Sequence, residues 1–200
     1  MRKILLTGFE PFGGESINPS WEAVLKVQEP EGIQIFRQQI PVEFETCLPT
    51  AEEAIREFQP DCVLCVGMAG GRDAVTPERI AINLDDARIP DNAGQKPCDK
   101  PILPDGPAAY FTTLPAKRIV EEIENSGIRA RLSYTAGTFV CDHLLYGLLH
   151  LAEEKYPYMK VGFIHVPMLP EQVTEKTQPS MPLKEIVEAL NAAVRVIGRL

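Results

Sequence analysis

The chain has 200 residues, 44% of them hydrophobic and 24% charged, with a formal net charge of −8 at pH 7. Length and composition predict one globular domain over residues 1–200. The acidic charge argues against nucleic-acid binding, which depends on a basic surface that neutralises phosphates. No apolar run approaches the ~20 residues of a membrane-spanning helix, and the amino terminus lacks the apolar core of a signal peptide. We therefore expect no membrane association and a cytoplasmic location.

The cysteines are five in number, and an odd count suits a reducing compartment better than a disulfide framework. Cys62 and Cys65 have the C-x-x-C spacing, but they lie in an apolar run with the character of a strand. Positions i and i+3 of a strand face opposite sides, so the pair can neither chelate one ion nor close a disulfide. We interpret both as core residues and expect neither a metal site nor a cofactor.

Strands and helices alternate along the chain. The predicted strands are Lys3–Thr7, Ile33–Ile40, Cys62–Gly67, Glu78–Leu84, Arg131–Thr135 and Val161–Pro167. The predicted helices are Trp21–Val27, Phe44–Phe58, Leu114–Ser126, a helix from about Cys141 to Glu154, and Leu183–Ile197. This alternation predicts a single three-layer α/β/α domain with a twisted, mainly parallel central sheet. The Pro- and Gly-rich segment 85–107 predicts a binding loop or a lid.

Cys141 lies between the predicted strand Arg131–Thr135 and a leucine-rich helical run. The amino end of a helix offers free backbone N–H groups and the positive end of the helix dipole, and both stabilise a thiolate. A lone intracellular cysteine is also often a small buried apolar residue. This stretch alone leaves a reactive thiol and a core residue as equal alternatives.

His165 lies at the end of the next predicted strand, and open α/β sheets bind ligands at the carboxyl ends of their strands. If the two strands are neighbours, the imidazole can reach the sulfur of Cys141. His143 points away from that sulfur around the helix, and His150 lies more than two turns further on. A lone histidine at a strand end is nevertheless more often a structural residue than a base.

Glu78 has the same strand parity as the apolar residues Ile80, Ile82 and Leu84. A carboxylate on an apolar face is unfavourable unless a partner pairs with it. Glu78 is either structural, in a salt bridge or at a sheet edge where it points into water, or functional, as a group that orients another side chain. The pattern leaves both interpretations open.

Two long segments, Gly67–Asn83 and Ser133–Gly147, closely resemble the signature segments of the pyroglutamyl peptidase I family of intracellular cysteine exopeptidases. Gly8–Gly14, Asp86–Asn92 and Gly162–Pro167 resemble that family too, so the similarity runs nearly from end to end. It implies hydrolysis of the amide bond after an N-terminal pyroglutamate (5-oxoproline) of peptides, through a thioester acyl-enzyme and without a cofactor. It also implies a homo-oligomer, expected to be a tetramer.

The resemblance also implies roles for particular residues. Cys141 would be the nucleophile, His165 its base and acid, and Glu78 the group that orients the imidazole. The substrate pocket would comprise Phe9, Phe12, Phe139 and Val140, with Arg88 and Ile89 close by. A pyroglutamate is a neutral lactam without a free amine, so an apolar pocket with a few hydrogen bonds suits it.

Two positions depart from the family pattern. Met68 stands where some relatives have a glutamine that contacts the lactam, and Asp142 stands where asparagine is usual. An additional charge beside the thiol would raise its pKa. Neither departure affects the three residues to which the resemblance gives catalytic roles.

Two other functions are compatible with a three-layer sheet. A nucleoside-phosphorylase-like enzyme could bind phosphate at the turn Gly8–Gly14, but the turn carries Phe9 and Phe12 and the chain lacks a basic cluster. A non-catalytic binding protein could retain the same scaffold. The presence of all three residues with implied catalytic roles argues against that alternative.

Overall fold

A computed structural model describes residues 1–175 and 177–200. The strands are β1 (Arg2–Phe9), β2 (Ile33–Ile40), β3 (Cys62–Met68), β4 (Thr76–Pro77), β5 (Ile80–Ile82), β6 (Ala109–Phe111) and β7 (Lys160–Val166). The helices are α1 (Pro19–Val24), α2 (Cys47–Phe58), α3 (Ala116–Asn125), α4 (Val140–Lys155) and α5 (Leu183–Gly198). A 3-10 turn spans Pro170–Gln172.

The main sheet has the strand order β2-β1-β3-β7-β4, and of these described strands the two-residue β4 alone runs antiparallel to its neighbour. One apolar cluster joins the sheet to α1, α3 and α5, and a second joins its other face to α2 and α4. Because helices cover both faces, β3 is an almost wholly apolar, buried strand. The predicted α/β/α arrangement with a mainly parallel sheet is confirmed.

Strand alternation determines which side chains face the α2/α4 layer. Val161 and Phe163 of β7 are buried in that cluster, so His165, of the same parity, faces it too. Cys65 of β3 is buried in the same cluster, which places Gly67 on the same face. The carboxyl ends of β3 and β7 therefore open toward the amino end of α4.

Cys62 and Cys65 are both buried, in the clusters on opposite faces of the sheet. Their interpretation as core residues is confirmed. The described cysteines are all free.

Two predicted strands differ from the structure. Arg131–Thr135 contacts the chain at Glu78 through an isolated bridge at Ser133 and is not a strand. It lies beyond β4, the edge of the sheet, and most of its side chains are exposed, so no apolar face stabilises a longer ladder. In the other case the predicted strand Glu78–Leu84 shortens to β5, which pairs with β6 in a separate two-stranded sheet.

The described segment 85–107 contains no helix or strand, yet hydrogen bonds hold it in place. The carboxylate of Asp91 accepts the backbone N–H groups of Phe44, Ala93 and Gln95, and Asp85 and Lys100 exchange backbone hydrogen bonds. This loop thereby forms one wall of the space beside the carboxyl end of β3. Among the helices described, none is both long and apolar enough to cross a membrane.

Candidate active site

Cys141 is the second residue of α4, after the N-cap Phe139 and the first helical residue Val140. Gly137 has φ 89°, a left-handed conformation that glycine adopts without strain, and it turns the chain into the helix. The N–H groups of the first helical turn have no partner inside the helix. The sulfur therefore lies at the positive end of α4, as predicted, although a loop and not a strand precedes it.

The sulfur of Cys141 lies against β3 at Gly67. A Cβ atom added to Gly67 would be 3.0 Å from Cys141 Sγ and 2.8 Å from a ring carbon of Phe163. Gly67 is the register partner of His165 on the adjacent parallel strand β7, and neighbouring strands lie ~4.8 Å apart. The missing side chain of Gly67 thus makes room for the sulfur next to the imidazole.

His165 and Glu78 form a buried hydrogen-bonded pair. His165 Nδ1 lies 2.7 Å from Glu78 Oε1, and both side chains are almost inaccessible to solvent. A carboxylate accepts hydrogen bonds, so Nδ1 carries the proton and Nε2 is left as the basic nitrogen. The pair leaves His165 able to accept a proton at the nitrogen that does not contact Glu78.

The protonation of Cys141 differs from the expectation of a stabilised thiolate. Burial raises the pKa of the Cys141 thiol, and the nearby Glu78 carboxylate raises it further. Burial also lowers the pKa of His165 below 6.5, against the opposing effect of Glu78. Desolvation disfavours both charged forms, so it favours a neutral thiol and a neutral imidazole.

Among the described residues, the imidazole of His165 forms a hydrogen bond with Glu78. It forms none with Cys141 Sγ. Both residues nevertheless line the same cleft. Hydrogen bonds between catalytic groups are often long in enzymes without substrate and shorten when substrate binds.

A cleft of about 440 Å³ opens in front of Cys141 and His165, and a recess of about 10 Å³ adjoins it. Phe12 and Phe139, with ring centroids 6.2 Å apart, line both spaces. The structure brings all six predicted pocket residues to this region: Phe9 and Val140 line the recess, and Arg88 and Ile89 line the cleft. Met68 lines both spaces.

Sequence reasoning missed Arg72. Its Nη1 lies 2.7 Å from Glu78 Oε1, and its side chain also lines the cleft. A buried carboxylate requires a partner, and Glu78 does not point into water but forms a salt bridge with Arg72 and also contacts His165. One sequence signal pointed to such a residue: Glu78 has the same strand parity as apolar residues, and a carboxylate in that position requires a cation nearby. Only the fold distinguishes Arg72 from Arg79, which stacks on Phe111.

The other two histidines lie elsewhere, as predicted. His143 Nδ1 is 2.9 Å from Asp85 Oδ2, and His150 Nδ1 is 2.9 Å from the hydroxyl of Tyr110. Neither histidine lines the cleft or the recess. Within residues 1–175 and 177–200, no three His, Cys, Asp or Glu side chains are grouped so as to hold a metal ion.

A cysteine beside a histidine–carboxylate pair, at the carboxyl ends of the strands of a mainly parallel α/β sheet, defines a cysteine-type hydrolase. The family model described as pyroglutamyl peptidase matches residues 2–200. The pyrrolidone-carboxylate peptidase of Bacillus licheniformis is 53% identical over 194 residues, which make up 96% of this chain and 90% of that protein. This chain therefore belongs to the pyroglutamyl peptidase family and has the activity of that family.

More distant relatives and solved structures agree with this assignment. The pyrrolidone-carboxylate peptidase of Streptomyces coelicolor is 48% identical over 201 residues, 100% of this chain and 93% of that protein. The crystal structure of pyroglutamyl peptidase I from Bacillus amyloliquefaciens has a TM-score of 0.97 and 50% identity, covering 100% of this chain and 98% of that one. A mutant pyrrolidone carboxyl peptidase from Pyrococcus furiosus has a TM-score of 0.92 and 42% identity, covering 97% of each chain.

Proposed function

We propose that this enzyme hydrolyses the amide bond after an N-terminal pyroglutamate of peptides, with Cys141 as nucleophile, His165 as base and acid, and Glu78 orienting His165. One observation carries these roles: Cys141 Sγ lies over Gly67, the register partner of His165, whose Nδ1 lies 2.7 Å from Glu78. The family supports the substrate and the reaction. The geometry supports the assignment of the residues.

The reaction starts from a neutral thiol and a neutral imidazole. As Sγ bonds to the scissile carbonyl carbon, its proton moves to His165 Nε2, and Glu78 stabilises the imidazolium. His165 then gives this proton to the leaving amine, the C–N bond breaks, and a thioester with Cys141 remains. A water molecule attacks the thioester with His165 again as base, which releases pyroglutamate and restores the thiol. Proton transfer by a positioned side chain is worth ~10²–10⁴ in rate.

The tetrahedral intermediate carries a negative oxygen that needs hydrogen-bond donors. The backbone N–H groups of Val140 and Cys141, at the start of α4, lie beside the sulfur and have no helical partner. The exposed side chain of Arg88 lies across the cleft as a further cation. Stabilisation at a helix end needs no movement of these donors during the reaction.

The lactam ring suits the place where the cleft meets the recess. The recess itself, at about 10 Å³, holds no more than about one water molecule, so the ring lies at its mouth, against Phe12 and Phe139. A charged α-amine would be desolvated there without a partner, which favours the neutral lactam over an ordinary amino terminus. The side chain of Met68 has no N–H to donate, so a lactam hydrogen bond on that side must come from the backbone.

Selective alkylation tests the nucleophile. Iodoacetamide should label Cys141 and abolish hydrolysis of a chromogenic pyroglutamyl amide, and excess 2-pyrrolidone should protect both the residue and the activity. Cys98 is exposed, so it serves as an internal control that is labelled whether or not 2-pyrrolidone is present. Peptide mapping that finds Cys141 unlabelled while activity is lost would contradict the proposed role.

The assembly and the location of the enzyme are further parts of this proposal. We propose a single folding domain, a homo-oligomer, expected to be a tetramer, and a cytoplasmic location. The free cysteines support a reducing compartment, and the expectation of an oligomer rests on the family resemblance. Light scattering after size-exclusion chromatography gives the subunit number, and a monomer at micromolar concentration would contradict the oligomer.

A further inference from the structure

Arg72 connects three parts of the active site through one guanidinium group. Nη1 donates to Glu78 Oε1 at 2.7 Å and also contacts Thr76 Oγ1, while Nη2 donates to the backbone carbonyl of Thr135 at 3.1 Å. Arg72 lies in the loop after β3, Glu78 follows β4, and Thr135 belongs to the loop that leads to Cys141. One side chain therefore joins the histidine–glutamate pair to the segment that positions the sulfur.

Glu78 depends on this contact for its charge balance. Its Oε1 accepts hydrogen bonds from both His165 Nδ1 and Arg72 Nη1, whereas its Oε2 is buried and has no partner among the described residues. An ionised carboxylate without access to solvent is strongly unfavourable unless an opposite charge is close. If His165 is to remain a neutral base, Arg72 must supply that positive charge.

We propose that Arg72 is a positioning residue of the reaction: it is the counterion of Glu78, which leaves His165 neutral, and it ties the segment before Cys141 to the histidine–glutamate pair. This inference rests on the proposed roles of Cys141, His165 and Glu78. Arg72 acts through these residues, and its own role requires no contact with the reacting atoms.

The charges around His165 give the sign of the expected pH effect. The charged or titratable groups that face the imidazole are Glu78 after β4, Arg72 after β3 and Cys141 on α4. Burial lowers the pKa of His165, Glu78 raises it, and Arg72 lowers it. Removal of the arginine charge therefore favours the imidazolium and raises the pKa of His165. Because the base must be neutral, the acid limb of kcat/KM should move to higher pH.

Two substitutions separate the charge of Arg72 from its geometry. Arg72→Gln removes the charge, so kcat should fall by about 100-fold, the size of effect that a displaced catalytic group produces, with the acid limb at higher pH. Arg72→Lys keeps the charge but cannot contact Glu78 and Thr135 together as a planar fork does. Its kcat should fall while its acid limb stays at the wild-type position. For both variants kcat should change more than KM.

Arg131 provides a matched control. It forms an ion pair with Asp73 close to the same loop, but the two side chains are 61% and 43% exposed, and such exposed pairs contribute little. Arg131→Gln should leave kcat and the pH profile within about twofold of the wild type. Circular dichroism and the thermal midpoint of each variant report whether it is folded.

The outcomes distinguish this inference from the proposed function. If Cys141→Ala and His165→Gln are inactive but folded Arg72→Gln behaves like Arg131→Gln, the inference about Arg72 is wrong and the proposed function stands. If Cys141→Ala or His165→Gln keeps its activity, the proposed function itself fails. Should Arg72→Gln not fold, Arg72→Lys decides: wild-type kcat overturns the inference, and a lower kcat with an unmoved acid limb supports it.

Discussion

The described residues include two imidazole–carboxylate pairs with nearly the same hydrogen-bond length. His165 Nδ1 lies 2.7 Å from Glu78, and His143 Nδ1 lies 2.9 Å from Asp85. His165 stands at the end of β7, lines the cleft and has the sulfur of Cys141 beside its register partner. His143 follows Cys141 by two residues on α4 but faces away from the cleft.

The difference shows that a histidine–carboxylate bond does not by itself make a catalytic base. His143 packs edge-on against Phe44, with ring centroids 5.6 Å apart, and its pair ties the start of the loop 85–107 to α4. His165 differs in lining the same cleft as Cys141. What matters is the position of the imidazole relative to the sulfur, which the sheet register fixes.

The largest effect should follow from removal of the sulfur. Cys141→Ala should lower kcat/KM for a pyroglutamyl amide by at least about 10⁴-fold, because nucleophile and base act as a unit. Calorimetric binding of 2-pyrrolidone should persist, since the aromatic walls of the pocket remain. Cys98→Ser, at an exposed cysteine outside the cleft, is the control with wild-type activity. Retention of a tenth of the activity by Cys141→Ala would refute the role of the sulfur.

The next effect compares the two histidines directly. His165→Gln should lower kcat by about 10³-fold through loss of the proton carrier, whereas His143→Gln should stay within about twofold of the wild type. Steady-state kinetics of the two purified variants gives the comparison. Equal losses of kcat in the two variants would contradict a catalytic role for His165 that His143 lacks.

Replacement of the two carboxylates should have a smaller effect with a defined sign. Glu78→Gln should lower kcat by about 100-fold, and the acid limb of kcat/KM should move to lower pH, because Glu78 raises the pKa of His165. Asp85→Asn should leave that limb unmoved. An acid limb that shifts to higher pH in Glu78→Gln would show that another group titrates there.

Replacement of Asp142 should have the smallest effect on activity. It should instead change the free energy of unfolding. Asp142 is buried beside Cys141, its carboxylate accepts the N–H of Ile82 at 3.3 Å, and burial raises its pKa to about 8. Between about pH 4 and 8 the unfolded state releases this proton while the folded state retains it, so the native state loses stability as pH rises. Below pH ~4 both states are protonated and the penalty vanishes.

Asp142→Asn removes this penalty while its side-chain oxygen can still accept the N–H of Ile82. The variant should be more stable than the wild type at pH 8 by up to roughly 5 kcal/mol, an upper limit set by four pKa units, and no more stable near pH 4. Denaturant unfolding at the two pH values measures the difference. A stability gain that does not depend on pH would show that Asp142 is not the titrating group.

Much of the fold could be predicted because it depends on local patterns. The apolar run Cys62–Gly67 indicated a strand covered on both faces, and the leucines after Cys141 indicated the helix α4. The prediction failed at Arg131–Thr135, where β propensity suggested a strand but the segment bridges the edge of the sheet only at Ser133 and leaves most of its side chains exposed. A correct prediction for this segment requires the position of the sheet edge, and the order of the strands determines that position.

The predicted pocket residues illustrate the same limit. Phe9, Phe12 and Phe139 were expected together from family resemblance, and the fold does bring them to the recess beside Cys141. Arg72 was missed although it stands within a segment that matched the family. Its contacts with Glu78 and with the carbonyl of Thr135 join residues 6 and 63 positions apart in the chain, and no periodicity encodes them.

The sequence by itself determined the alternation of strands and helices, a cysteine at the start of a helix and a histidine at the end of a strand, because each of these depends on near neighbours in the chain. The tertiary structure decided that β3 and β7 lie side by side in register, so that Gly67 leaves space for the sulfur next to His165. It also decided that Glu78 is buried with Arg72 and that desolvation raises the pKa of the thiol. Burial and charge pairing depend on the whole packed chain, and they set the chemistry of this site.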